Sequence, residues 1–322
     1  MNERYKPHTY EGETPAERPP QAIYDLTRSY ELAGLEKEIR QFIRNIDEDI
    51  LFEIFREYYG KSGFNPETVN PIPLSQITIF NDIHDGAIGK FSPNPQSILL
   101  NAIRCINDKG SVDSETVVNT IIHEELHAIS AIYSKNTSSQ LTEVKIDLGL
   151  EKRREFSDTG FQIDKQTNLL ANEGLTQIIA DDIHAEYVKR SGTTRDYMNK
   201  EKTERLGMSA EAYPENQFRI RLLIHFYTLL LNQNEEVVKN SFIRSYLRNT
   251  NIFPEELNAV PTEHEPRVRN FDIEFYLNHP QLSTEGLISK LLNMLPQEKK
   301  GEFEQKAEIL KDNFLESTQT KK

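Results

Sequence analysis

The stretch SETVVNTIIHEELHAISAIY, residues 114 to 133, decides how the chain folds. Val118, Ile122, Leu126, Ile129 and Tyr133 recur at helical spacing, Asp113 or Ser114 can cap the amino end, and Glu115 suits the positive end of the helix dipole. Within it lie His123, Glu124, Glu125, Leu126 and His127, the pattern HExxH. On a helix of about 3.6 residues per turn, positions i and i+4 sit one above the other, so both imidazoles can reach one metal ion with Glu124 beside it. Plotted at about 100° per residue, the histidines lie about 120° around the helix from the centre of the apolar stripe. The periodicity therefore predicts histidines facing away from the core. The competing reading of the same pattern is a solvated helix face with two surface histidines.

Working outward, the segment before this helix is rich in Pro and Gly and carries short apolar runs, QITIF (76 to 80) and SILLN (97 to 101), which read as neighbouring strands separated by the turn-rich SPNP. An exposed strand there could pair with an extended peptide. Further upstream, Ile39, Phe42, Ile43, Ile46, Ile50, Ile54 and Phe55 give the apolar side of a helix pair ending at Gly60, and residues 1 to 20 read as a disordered tail on their Pro and charge content. After the HEELH helix, 141 to 150 and 155 to 164 read as two strands around a charged turn, EKRR. A second helix runs from Leu169 to Arg190 with Leu175, Ile178, Ile179 and Ile183 as its core stripe and Glu173 on the opposite side.

Beyond Arg195 the pattern is helical: AYPENQFRIRLLIHFYTLLL, NEEVVKNSFIRSYLR, LSTEGLISKLLNML, and a charged final helix with Phe303, Ile309, Leu310 and Phe314 as its apolar side. The expected organisation is a tail over 1–20, a metal-binding part over 21–192 and a helical carboxyl-terminal part over 193–322.

Composition narrows the function classes. A net charge of -13 argues against a nucleic-acid partner or an anionic membrane surface, because both recruit Lys and Arg. Cys105 is the single cysteine, so no intrachain disulfide forms. The longest apolar run, IRLLIHFYTLLL, is too short and too polar to span a bilayer, and the amino terminus has no apolar leader core. The chain reads as a soluble, cytoplasmic protein.

Zinc used catalytically takes three protein ligands and keeps one position open. HEELH supplies two. Ser130 and Tyr133 stand where a metzincin would need Gly and a third His, so the third ligand must come from elsewhere. Glu173, in LLANEGLTQIIAD, leads; Asp181 and Asp182 lie two turns further along that helix and His184 about three.

HEELH at 123 to 127 together with NEGLTQ at 172 to 177 resembles the gluzincin branch of zinc metallopeptidases. That resemblance implies an α+β, zincin-like fold, with a small sheet beside the active-site helix and a mainly helical carboxyl-terminal part. It also implies one zinc ion held by His123, His127 and Glu173, Glu124 as general base, and a peptide or protein substrate. Gluzincins commonly place a Tyr or His near the developing oxyanion; Tyr213 is the first choice here, with His184 and Tyr187 behind it. One departure stands out. Gln177 occupies the position where thermolysin-like enzymes carry an acid that orients a zinc histidine, and an uncharged amide should raise ligand basicity less. On that reading Gln177→Glu tightens zinc or speeds turnover. Two rival classes are a non-catalytic module stabilised by the metal, and an intracellular scaffold whose helical half does the work.

Overall fold

The computed structural model describes residues 29–82, 84–93, 96–107, 110–137, 142–149, 151–157, 161–167, 169–191, 214–248 and 283–319. Mixed helix and sheet, it is mostly helical. The expected tail over 1–20 lies outside the described residues.

Helices α1 (Ser29–Arg44) and α2 (Glu48–Lys61) form the expected pair, α2 capped by the Asp47 carboxylate, which accepts from the Ile50 backbone N–H. A three-stranded sheet follows, of β1 (Thr78–Phe80), β2 (Gly89–Pro93) and β3 (Gln96–Asn101), in the order β1-β3-β2. β1 runs parallel to β3, β2 antiparallel to it, and β2 is an edge. This sheet is the one the apolar runs QITIF and SILLN predict.

Helix α3 (Ser114–Ser130) carries HEELH. Asp113 caps it, its carboxylate accepting from the Thr116 N–H at 3.3 Å. It stops three residues earlier than the periodicity suggests, because the chain from Ala131 enters a four-stranded antiparallel meander: β4 (Ala131–Thr137), β5 (Thr142–Leu148), β6 (Glu151–Ser157) and β7 (Phe161–Thr167). EKRR is therefore strand and not turn. The reversal lies at Gly149, whose φ of +59° suits a tight two-residue hairpin connection, with Leu148 paired to Glu151 across it. Charged side chains do not end a strand; a residue free to take a left-handed backbone does.

Helix α4 (Leu169–Arg190) then packs on α3, and α5 (Pro214–Leu231), α6 (Glu235–Leu247), α7 (Thr284–Met294) and α8 (Gln297–Gln319) complete the described chain. On α8 the apolar side is Phe303, Ala307, Leu310 and Phe314, spaced four, three and four; Ile309 falls off this stripe and is 52% exposed. None of the described helices is long and apolar enough to cross a membrane.

The core runs through both α3 and α4. Val117, Val118, Ile121, Ile122 and Leu126 of α3 and Leu175, Ile178, Ile179 and Ile183 of α4 are fully buried, each such side chain contributing about 1.5–3 kcal/mol. The other faces are buried as well. On α3 His123, Glu124, Glu125 and His127 are enclosed, and residues 171 to 180 of α4 are buried without interruption. The competing reading of a solvated face is corrected here: the histidines lie off the apolar stripe, but their face is buried against α4. Each helix has an apolar face toward the core and a polar face toward its neighbour, and apolar periodicity registers only the first.

Glu125 shows what this burial does to a carboxyl group. Its Oε2 accepts from the Ile72 N–H at 2.9 Å, tying the segment before β1 to α3. Burial pushes its pKa up to about 8, against the Ile72 hydrogen bond and helped by Glu48. Between the ordinary carboxyl range and about pH 8 the folded state holds a proton that the unfolded chain releases, so stability falls as pH rises through that window. Glu125→Gln keeps an oxygen for Ile72 and removes the titration. Thermal unfolding of this variant should match the parent near pH 5 and exceed it at pH 8 to 9, by on the order of a few kcal/mol.

Candidate metal centre

His123, His127 and Glu173 converge where α3 meets α4. His123 Nε2 lies 3.1 Å from His127 Nε2 and 3.0 Å from Glu173 Oε2, and His127 Nε2 lies 3.5 Å from Glu173 Oε1. The rings stand edge to face at 74°, as neighbours one helical turn apart can. Two atoms that each bind one ion at about 2.0–2.1 Å in tetrahedral directions sit about 3.3 Å apart. The three observed separations, with one Glu173 oxygen toward each histidine, scatter around that value.

Proton placement sharpens the fit. His123 Nδ1 is 2.9 Å from Gln177 Oε1. The two amide hydrogens of Gln177 go to Asn119 Oδ1 at 2.7 Å and Asp181 Oδ1 at 2.9 Å, which fixes the amide with its oxygen toward the ring. An amide oxygen only accepts, so His123 carries its proton on Nδ1 and presents the Nε2 lone pair to the cluster. The Glu173 carboxylate is also an acceptor. Burial would raise its pKa, but His127 and His123 outweigh that and hold the group well below the usual carboxylate range. A shared proton would satisfy one pair of these atoms; a cation satisfies all three. The residues fit a metal ion.

Glu124 stands beside this group without joining it. Burial lifts its pKa, with His123 and His127 pulling the other way. The Phe91 N–H on edge strand β2 donates to its carboxylate. Gly89 permits that approach: a Cβ there would come 2.4 Å from Thr120 Cγ2 and 3.1 Å from Glu124 Oε1. Ile88 C=O accepts from the Asn101 N–H on β3, so the outward-facing backbone groups of β2 are those of Gly89 and Phe91.

The other predicted residues that are described stand outside the convergent group. Asp181 is no direct neighbour of the three convergent atoms; it accepts from Gln177 and from Asn119 Nδ2 at 3.2 Å. Asp182 is engaged by Tyr58 at 3.2 Å and Lys239 at 2.5 Å. His184 is eleven residues beyond Glu173 on the same helix, about 16 Å along its axis, and burial lowers its pKa to about 4. The Tyr187 hydroxyl accepts from the Asp47 N–H at 2.9 Å, away from the centre. Tyr213 lies outside the described residues.

Two more residues stand next to the centre, Asn172 from the NEGLTQ motif and Tyr246, which no local pattern marks. The amide of Asn172 lies 3.5 Å from His127 Nδ1, and the buried Tyr246 of α6 has its hydroxyl 3.0 Å from Thr176 Oγ1 and 3.4 Å from Ser130 Oγ, bridging the two metal-side helices one turn beyond His127 and Glu173. Gly149 touches both: a Cβ there would lie 2.2 Å from the Tyr246 ring and 2.6 Å from Asn172 Oδ1. Gly149→Ala meets a left-handed backbone and a filled space together, so denaturant unfolding should show a loss of about 2–4 kcal/mol.

Fold and site together define the class: a mixed α and β protein with a buried His-His-Glu group able to hold a metal ion. No known family model, curated protein or solved structure matches the chain.

Proposed function

We propose that the chain is a zinc-dependent peptidase of gluzincin type, with a zincin-like arrangement of edge strand, HEELH helix and glutamate helix. The observation that carries this reading is the convergence of His123 Nε2, His127 Nε2 and Glu173 at 3.0–3.5 Å, with the buried carboxylate of Glu124 next to them and outside the set. A structural site would gain nothing from that fourth acid group.

Two histidine nitrogens and one carboxylate are a donor set that suits zinc and, with three protein ligands, a catalytic site. Bound there, zinc would act as a Lewis acid on the scissile carbonyl and make water a better nucleophile. The chain's own residues do the rest. Glu124 accepts a proton from the attacking water as its oxygen bonds to the carbonyl carbon, and gives that proton to the amine nitrogen as the C–N bond breaks. The outward C=O and N–H groups of Gly89 and the C=O of Phe91 offer an extended peptide a strand to pair with, which holds the scissile bond over Glu124.

The test is metal content by elemental analysis after purification without chelator, followed by cleavage of a broad peptide library with and without added zinc. A protein that retains about one zinc per chain and cleaves in a zinc-dependent way supports the reading. One that takes up zinc and cleaves nothing is the metal-stabilised binding module instead.

A further inference from the structure

Behind the metal-facing side of His123 lies a closed triangle of polar groups that the resemblance to thermolysin-like enzymes does not account for. Gln177 Nε2 donates to Asn119 Oδ1 at 2.7 Å and to Asp181 Oδ1 at 2.9 Å, and Asn119 Nδ2 donates to the same Asp181 oxygen at 3.2 Å. The free end of the triangle is Gln177 Oε1, which accepts from His123 Nδ1 at 2.9 Å. Asn119 sits one turn before His123 on α3, and Asp181 one turn after Gln177 on α4. Gln177 is fully buried and Asn119 is 8% exposed.

We infer that Asp181 is the acid of the carboxylate–histidine–metal chain in this protein, displaced one helical turn and acting on His123 through the Gln177 amide; this rests on the metal reading above. Asp181 and Gln177 are thus positioning residues. The carboxylate orders the amide dipole, the amide oxygen fixes the His123 tautomer, and the Nε2 lone pair is left for the ion. Partners of this kind are worth about 10–100-fold in metal affinity.

The inference reverses the expectation drawn from sequence. A carboxylate at position 177 would bring an oxygen to about the place of the amide nitrogen, against Asn119 Oδ1 at 2.7 Å and Asp181 Oδ1 at 2.9 Å, both acceptors. Turning the Asn119 amide removes the first clash and sets its own oxygen against Asp181. With both acids ionised, every orientation leaves two acceptors facing, and the pair closes only by taking up a proton. Exchanging the groups repairs this. With Gln177→Glu and Asp181→Asn together, the new amide at 181 donates to position 177 and to Asn119, and Asn119 donates to position 177, so the triangle closes with its direction reversed and a charge placed directly on His123.

The experiment measures zinc affinity by competition against a chromophoric chelator for the parent, Gln177→Glu, and the double variant Gln177→Glu with Asp181→Asn, with thermal unfolding of each zinc-free protein as the folding control. Gln177→Glu should bind zinc at least about 10-fold more weakly than the parent, and the double variant should return to the parent's affinity or better. Nitrogen-resolved imidazole spectra should place the His123 proton on Nδ1 in the parent and in the double variant. If Gln177→Glu alone does not fold, the double variant carries the test, since restored folding and affinity are expected only from a reversed triangle. A Gln177→Glu protein that binds zinc as well as or better than the parent, a double variant as weak as the single one, or a parent His123 protonated on Nε2 overturns the inference while leaving the metal reading intact. A parent with no affinity for zinc or cobalt overturns the metal reading itself, and this inference with it.

Discussion

Glu124→Gln is expected to keep zinc content and folded stability near the parent's values while lowering peptide cleavage by about 100 to 10,000-fold. The substitution is nearly isosteric. It leaves a side-chain oxygen to accept the Phe91 N–H, and the three convergent ligand atoms of His123, His127 and Glu173 are untouched. It also removes a carboxyl group whose ionisation burial opposes, so the fold has no charge interaction to lose on balance. What disappears is the role proposed for Glu124, carrying a proton between water and the leaving nitrogen. Glu124 lies about 100° around the helix from His123, close to the metal-facing side without pointing along it, which is why metal content and turnover should separate so cleanly in this variant. Cleavage within tenfold of the parent's would mean that another group supplies the base, and the peptidase mechanism would need a different proton carrier.

The parts of this centre that sequence reveals are those set by helical spacing within one element. HEELH places two imidazoles one turn apart, and NEGLTQ places Glu173 and Gln177 one turn apart; the structure brings three of these four beside one another and puts the fourth on His123 Nδ1. The triangle behind His123 obeys the same spacing, since Asn119 and Asp181 are each four residues from a group already singled out. Gln177 taken alone shows a lost charge; its link to Asp181 shows only once α3 and α4 are packed together. Burial was harder. Counting apolar residues finds the core face of α3 and α4 and treats the remainder as solvated, yet the polar faces of these helices cover each other. Tyr246 is out of reach altogether: 116 residues separate it from Ser130, and nothing in the α6 pattern marks one tyrosine as the bridge between the metal-side helices. In the meander between β4 and β7 the reversal sits at Gly149, and the charged EKRR that follows it carries no turn signal of its own.

The second large effect is at the third ligand. Glu173→Ala should abolish retention of zinc through purification while leaving the far-ultraviolet helical signal nearly unchanged. Glu173 lies off the apolar stripe of α4, so Leu175, Ile178, Ile179 and Ile183 still pack and the helix keeps its place. The two imidazoles would remain 3.1 Å apart with no anion to offset a divalent charge in a buried site, and two neutral ligands hold zinc far more weakly than two plus a carboxylate. Thermal unfolding provides a direct reading of that loss. An ion that binds only the folded state stabilises it by about 2.7 kcal/mol when present at 100 times its dissociation constant. The parent's unfolding midpoint should therefore climb with added zinc and fall back with a chelator, and the Glu173→Ala midpoint should respond to neither. A zinc-dependent midpoint of the parent's size in Glu173→Ala would show that the ion is held by other groups, and the assignment of Glu173 as ligand would be wrong.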